Sequence, residues 1–225
     1  MPVIDGIGMG WVWVIPGLSA SAFIIVTLMG RWLPGKGAAV SIAAISIGFL
    51  LFWLVLIDLL KSEAGHGGFD FVWIAIGDLN ITWGFLVDRL SVTMLGLITF
   101  IALVVQTYSL SYMRGDARFG WYYAIHSLFA AAMLALVLAD NLLFLYIAWE
   151  LVGLGSYLLI GFWHEKRSAA EAAKKAFVTT RIGDVGLLIG IILLFKATGT
   201  FNISAIFHVA EHGAVSGSVL NVSCA

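Results

Sequence analysis

Residues 145–158 read LYIAWELVGLGSYL and set Glu150 near the centre of an apolar run that extends from 142 to 162. At 1.5 Å per residue a helix of that length is about 30 Å long, the thickness of a bilayer's hydrocarbon core. Glu150 is the ninth of the 21 residues, so a helix here carries a carboxyl to mid-membrane depth. The fold class turns on whether the run spans a membrane.

The rest of the chain says that it does. Of 225 residues, 61% are hydrophobic and 11% charged, and the mean hydropathy is +1.03, whereas a soluble domain carries roughly a quarter charged residues. Six stretches are long and apolar enough to cross: 11–30, 38–60, 90–111, 121–139, 142–162 and 176–196. They are continuous rather than alternating, and a segment in lipid must satisfy its own backbone, which predicts helices and not barrel strands. The predicted fold is all-α, a polytopic transmembrane bundle of about six spans. The first run starts at Trp11 and its first basic residue, Arg31, comes after it. A cleaved signal peptide has the opposite order, so this run is predicted to be a retained span. A net charge of -1 and a pI of about 6.5 offer no basic surface to nucleic acid. The single cysteine, Cys224, forms no internal disulfide and fits no metal-ligand spacing. No nucleotide-binding glycine loop occurs.

Lys and Arg in the connections orient the bundle. Loops after spans one, three and five hold Arg31 and Lys36, Arg114 and Arg118, then Lys166, Arg167, Lys174 and Lys175, while the loop between spans four and five holds none. The segment after span six begins with Lys196 alone, and the 61–89 connection has Lys61 and Arg89 only at its ends. The N-terminus is therefore expected outside, together with 61–89 and the tail from 197. Within that outer loop FVWIAIGDLNITWGFLVD alternates β-formers around Gly77-Asp78, a hairpin signal set against an irregular loop. HEKRSAAEAAKK, 164–175, is alanine-rich and charged and is predicted as a helix lying at the cytoplasmic interface or extending span six. Gly153-x-Gly155-Ser156 offers a close-packing face. The tail from 208, HVAEHGAVSGSVLNVSCA, has no seventh span and reads as a loop.

Charged residues inside spans carry the functional signal. An ionised side chain at the bilayer centre costs about 2.5–3.5 kcal/mol on insertion scales. Burial favours the protonated carboxyl and a nearby cation the ionised one, so Glu150 suits a proton relay. The alternative is a permanently protonated hydrogen-bonding peg. In span six Arg181 and Asp184 stand three residues apart on one face, readable as a self-neutralising pair or as an electrostatic lever on Glu150. Lys174 and Lys175 lie where span six enters the membrane, as snorkelling residues or as a proton entry. Asp140-Asn141 suits a helix cap, and Asp88-Arg89 marks the outer end of span three. His126, in span four, reads first as a packing histidine; His164, His208 and His212 lie in loops and form no metal set.

ADNLLFLYIAWELVGLGSYLLIGFW (139–163) and AAKKAFVTTRIGDVGLLIGIILLF (172–195), with DRLSVTMLGLITFIALVVQTYSLSYM (88–113) and HSLFAAAMLALVLADN (126–141), closely resemble the antiporter-like membrane subunits of NADH:quinone oxidoreductase, respiratory complex I, in its subunit L or chain 5 branch. The similarity runs from about 70 to 207. It implies a proton-translocating module with no redox centre in this chain and with NADH, FMN, iron–sulfur clusters and quinone in partner subunits. The implied setting is the bacterial inner (plasma) membrane. It also implies that Glu150 pairs with a lysine two helices later and that Lys175, Arg181 and Asp184 belong to one charged axis. The family has glycine where this chain has Leu151, and its members are much longer. The expected division is 1–89, two spans and an outer loop; 90–207, the start of the proton-translocating domain; and 208–225, an irregular tail. Lacking a partner lysine, the chain reads as an N-terminal portion or a product ending early. Two other readings stay open: the large subunit of a multi-subunit sodium/proton antiporter, and an inactive truncated membrane segment.

Overall fold

The computed structural model describes residues 11–30, 32–61, 67–76 and 79–211. Seven α-helices and one hairpin follow in the order α1 Val14–Met29, a 3-10 turn Pro34–Gly37, α2 Ala38–Lys61, β1 Gly67–Ile76, β2 Leu79–Val87, α3 Arg89–Tyr112, α4 Phe119–Val137, α5 Leu142–Ile160, α6 Arg167–Thr198 and α7 Ile203–Glu211. Helices α2 to α6 are long and apolar enough to cross a membrane. The first predicted span forms the shorter α1, whose 16 residues reach about 24 Å, short of a ~30 Å core.

Helices α1 to α4 share one core, in which Ile15, Ile45, Leu95 and Leu134 are fully enclosed. Small residues bring backbones together where lipid supplies no hydrophobic drive between helices. Gly96 of α3 takes the Phe52 ring of α2, which a Cβ there would meet at 2.5 Å. Gly35, Lys36 and Gly37 all adopt left-handed backbone angles. Their turn sets the Lys36 carbonyl against Gly120 at the start of α4, where a Cβ would lie 2.7 Å from that oxygen. Helices α5 and α6 hang on this core as an antiparallel pair. Gly161 faces Ala173, a Cβ at Gly161 lying 3.2 Å from the Ala173 methyl, and the rings of Tyr157 and Phe177 meet at 5.1 Å.

The alternating outer loop forms the hairpin, with β1 and β2 paired antiparallel from Gly67–Val87 to Ile76–Leu79 and a bulge between Val72 and Ile74. Gly77-Asp78, its predicted turn, lies outside the described residues. The hairpin is stitched to the α4–α5 connection: Leu86 N–H donates to Leu138 O at 2.8 Å, and Gly84 N–H donates to the Asp140 carboxylate at 3.0 Å. Asp140 is therefore a hairpin anchor, and Asn141 alone caps α5, accepting from Phe144 N–H at 2.7 Å. Asp88 caps α3 in the same way through Ser91 N–H. Of the predicted helix 164–175, residues 167–175 extend span six and 164–166 belong to the turn before it, α6 running unbroken for 32 residues, about 48 Å, to a left-handed Gly199 C-cap. Residues 208–211 of the predicted irregular tail are helical, completing α7; 212–225, with His212 and Cys224, lie outside the described residues.

On the opposite end from the hairpin the two basic loops are tied together. Asp116 accepts the Arg118 N–H at 2.8 Å and the Trp163 indole N–H at 3.0 Å. Arg118 in turn meets Glu165 at 2.8 Å and His164 at 2.9 Å. The backbone bond from Arg118, then the indole, hold the Asp116 carboxyl below its ordinary value of 3.8. A carboxylate with a depressed folded-state pKa contributes stability at pH above the unfolded value and loses it as pH falls through the folded one. The junction is thus expected to stay intact at neutral and mildly acidic pH and to loosen only below about pH 3.8. The Trp163 indole N–H resonance should shift in that acid range, and the Asp116→Asn variant should lack the step.

Candidate functional site: a shared guanidinium between two carboxylates

Glu150 leaves α5 toward α6, and Arg181 meets it there in an ion pair. The same Nη1 also reaches Asp184 Oδ2 at 3.4 Å, so one guanidinium serves two carboxylates on different helices. The side chains of Glu150 and Arg181 are 24% and 35% exposed, that of Asp184 only 7%. Trp149 fixes the third corner, its indole N–H donating to Asp184 Oδ1 at 2.7 Å. The Arg181 guanidinium also lies over the Phe177 ring, 4.6 Å from its centroid, which adds a cation–π contact.

This arrangement follows from the α5–α6 register. Reading up the antiparallel pair, Gly161 opposes Ala173, Tyr157 opposes Phe177, and Trp149-Glu150 therefore oppose Arg181–Asp184. Spacing along α6 predicts Arg181–Asp184 as a pair, and the structure adds a cross-helix ion pair from the same guanidinium to Glu150. Trp149, adjacent to Glu150, was not singled out from sequence, although an indole N–H inside a span needs an acceptor.

Lys175 is not brought to this cluster. It lies six positions from Arg181, about 120° away around the helix, and is exposed. Lys174 instead sits on the seam with Ala173 and lines a cavity of about 360 Å³ with Tyr157, Gly161, Phe162, His164 and Arg118. His126 pairs with Gln106 of α3 at 3.3 Å, and His164 belongs to the loop junction. Among the described residues no three His, Cys, Asp or Glu gather to hold a metal.

The count of charges gives the cluster its chemistry. Two ionised carboxylates against one guanidinium leave one uncompensated negative charge inside the span, where charge is costly. Binding one proton removes it.

Residues 73–123 match the family described as NADH-Ubiquinone oxidoreductase (complex I), chain 5 N-terminus, and 139–224 match NADH:quinone oxidoreductase/Mrp antiporter, TM. The chain belongs to this antiporter-like family. The second match holds the whole cluster and continues past 207, where the resemblance read from sequence ended. F(420)H(2) dehydrogenase subunit L of Methanosarcina mazei is 48% identical over 191 residues, covering 83% of this chain and 28% of that protein. NADH-quinone oxidoreductase subunit L of Pseudomonas aeruginosa is 38% identical over 193 residues, covering 84% of this chain and 31% of that protein. Among solved structures, the Mrp complex from Dietzia superposes with a TM-score of 0.68 at 26% identity, over 88% of this chain and 20% of that chain. The antiporter-like chain thus spans under a third of the length of these curated relatives, and it is a multi-pass membrane protein.

If Arg181 is shared, its removal strands two carboxylates. Arg181→Gln is expected to destabilise the folded protein, and adding Glu150→Gln to recover part of the loss. A double-mutant cycle on thermal unfolding in detergent should return a coupling of about 0.5–3 kcal/mol, whereas an additive pair would contradict the shared bond.

Proposed function

We propose that this chain is the N-terminal portion of a proton-translocating membrane subunit of an NADH:quinone oxidoreductase, with Glu150 as the carboxyl that takes up and releases the proton. The observation that carries the reading is the Arg181 guanidinium held between Glu150 and Asp184. With Arg181 on Glu150, the carboxylate is ionised. When the guanidinium moves toward Asp184, which Trp149 holds in place, Glu150 is left in an apolar setting and takes a proton. Return of the guanidinium expels it. The protein supplies charge and geometry only; NADH, FMN, iron–sulfur clusters and quinone belong in this reading to partner subunits, and Lys175, exposed on α6, is assigned to the charged axis outside the Glu150 cluster.

The subunit names of its relatives support a multi-subunit membrane complex. The basic loops at the α3–α4 and α5–α6 ends support a cytoplasmic position for that face and an N-terminus outside the bacterial plasma membrane. The likeness to the Mrp complex supports a second reading, the large subunit of a sodium/proton antiporter. Copurification with NADH-oxidising subunits favours the first; a sodium-dependent pH response in vesicles without them favours the second.

Glu150→Gln, introduced into the full-length subunit within its complex, keeps the side-chain shape and removes the ionisation. Proton translocation coupled to NADH oxidation is expected to fall at least several-fold while the complex still assembles. Undiminished translocation, measured in sealed vesicles by a pH-sensitive dye, removes Glu150 from the role.

A further inference from the structure

A second polar group lies apart from the carboxyl cluster, in the seam between α3 and α4 near the basic loops. It starts at the last turn of α3, where the hydroxyls of Ser109 and Tyr122 meet at 2.9 Å. One turn further into the bundle, Gln106 Nε2 meets His126 Nδ1 at 3.3 Å, and the Tyr123 hydroxyl donates to the Gln106 carbonyl oxygen at 2.8 Å. The rings of Tyr122 and His126 stand 6.0 Å apart, bridging the two levels. Gln106 is 1% exposed and His126 8%. Neither lies on the face that α5 and α6 use for the carboxyls.

One buried atom in this seam lacks a hydrogen-bond partner among the described residues, the Gln106 amide oxygen. A buried amide oxygen without a partner costs about 1–3 kcal/mol, and polar seams of this kind are completed by internal water that finds two to four partners. The Gln106 oxygen, the Tyr122 hydroxyl and a His126 ring nitrogen are suitable ones: the amide oxygen accepts a hydrogen bond, and the hydroxyl and the imidazole can each donate or accept one. An apolar packing histidine needs no such company.

We propose that the α3–α4 seam binds internal water on the Gln106 amide oxygen and serves as a proton-loading branch, carrying protons from the loop face past Ser109 and Tyr122 to His126. A proton passes from the water to one ring nitrogen of His126 while the water takes one in turn from the loop face through the Tyr122 and Ser109 hydroxyls, and the imidazolium returns to neutral by giving its proton back to that water. No bond other than these is made or broken. The assignment of a loading role rests on the proton-translocation reading above; the water site does not.

The test uses the full-length subunit in its assembled complex. A high-resolution cryo-EM map is expected to show ordered water within hydrogen-bonding distance of the Gln106 amide oxygen, and Gln106→Met, of similar volume, to lose it. His126→Gln retains a hydrogen-bonding side chain but cannot exchange a proton, so proton uptake is expected to slow several-fold, with assembly unchanged; a packing histidine would be rescued by this substitution. A dry seam at Gln106, or uptake by the His126→Gln variant at the parent rate, overturns the proposal. The map does not depend on Glu150, so failure of the Glu150→Gln experiment and failure here are told apart.

Discussion

One guanidinium between two carboxylates is the constraint on which the α5–α6 half depends. Neither Glu150 nor Asp184 has a cheap place inside an apolar span by itself, and Arg181 is the cation that makes both admissible. To share it, α5 and α6 must run antiparallel in one register, with Trp149-Glu150 level with Arg181–Asp184. A slip of one residue along either helix would turn a charge by about 100°, away from its partner. The contacts of Gly161 with Ala173 and Tyr157 with Phe177 hold that register from the loop end, where backbones come close and packing is stiff.

The other half of the chain is a scaffold that limits motion at both ends of α5. Toward the hairpin, the α4–α5 connection is pinned by Gly84 to Asp140 and by Leu86 to Leu138, and on the far side Leu142 N–H bonds Phe201 O at 2.9 Å. Toward the basic loops, Asp116 and Arg118 clamp the segment that follows α5. With both ends held, the backbone of α5 is tied at the hairpin and at the basic loops, and the side chain that crosses from α6 to Glu150 is the long one of Arg181.

What the sequence made legible and what it hid divide along a physical line. The spans were readable because bilayer thickness dictates their length, and the hairpin because alternation and Gly77-Asp78 are local signals. Arg181–Asp184 was readable because three residues along a helix means one face. The bond from Arg181 to Glu150 was hidden, since it depends on the register between two helices, which neither helix encodes alone. The same limit explains Asp140, which reads as a cap from its neighbours but is taken by a strand 56 residues earlier. It also explains the two adjacent lysines, both exposed, of which only the packed helices show that Lys174, not Lys175, borders the cavity beside Ala173. Gln106 carried no signal beyond being polar inside a span.

Sharing, rather than pairing, is what separates a proton-binding site from a structural salt bridge. A closed Arg–carboxylate pair in an apolar region is neutral, gains nothing from a proton and is best left undisturbed; replacing such pairs by apolar residues is often neutral or stabilising. Adding a second carboxylate changes the balance, because full ionisation then leaves a net negative charge that only a proton or another cation removes. Asp184 is the better anchored of the two, with the Trp149 indole on one oxygen and burial around it. Glu150 has Arg181 as its ion-pair partner and a more open side chain. Of the two, Glu150 is thus the carboxyl that a moving Arg181 side chain would leave alone, while Asp184 keeps the Trp149 indole; that difference is why the proposed proton-binding role falls on Glu150.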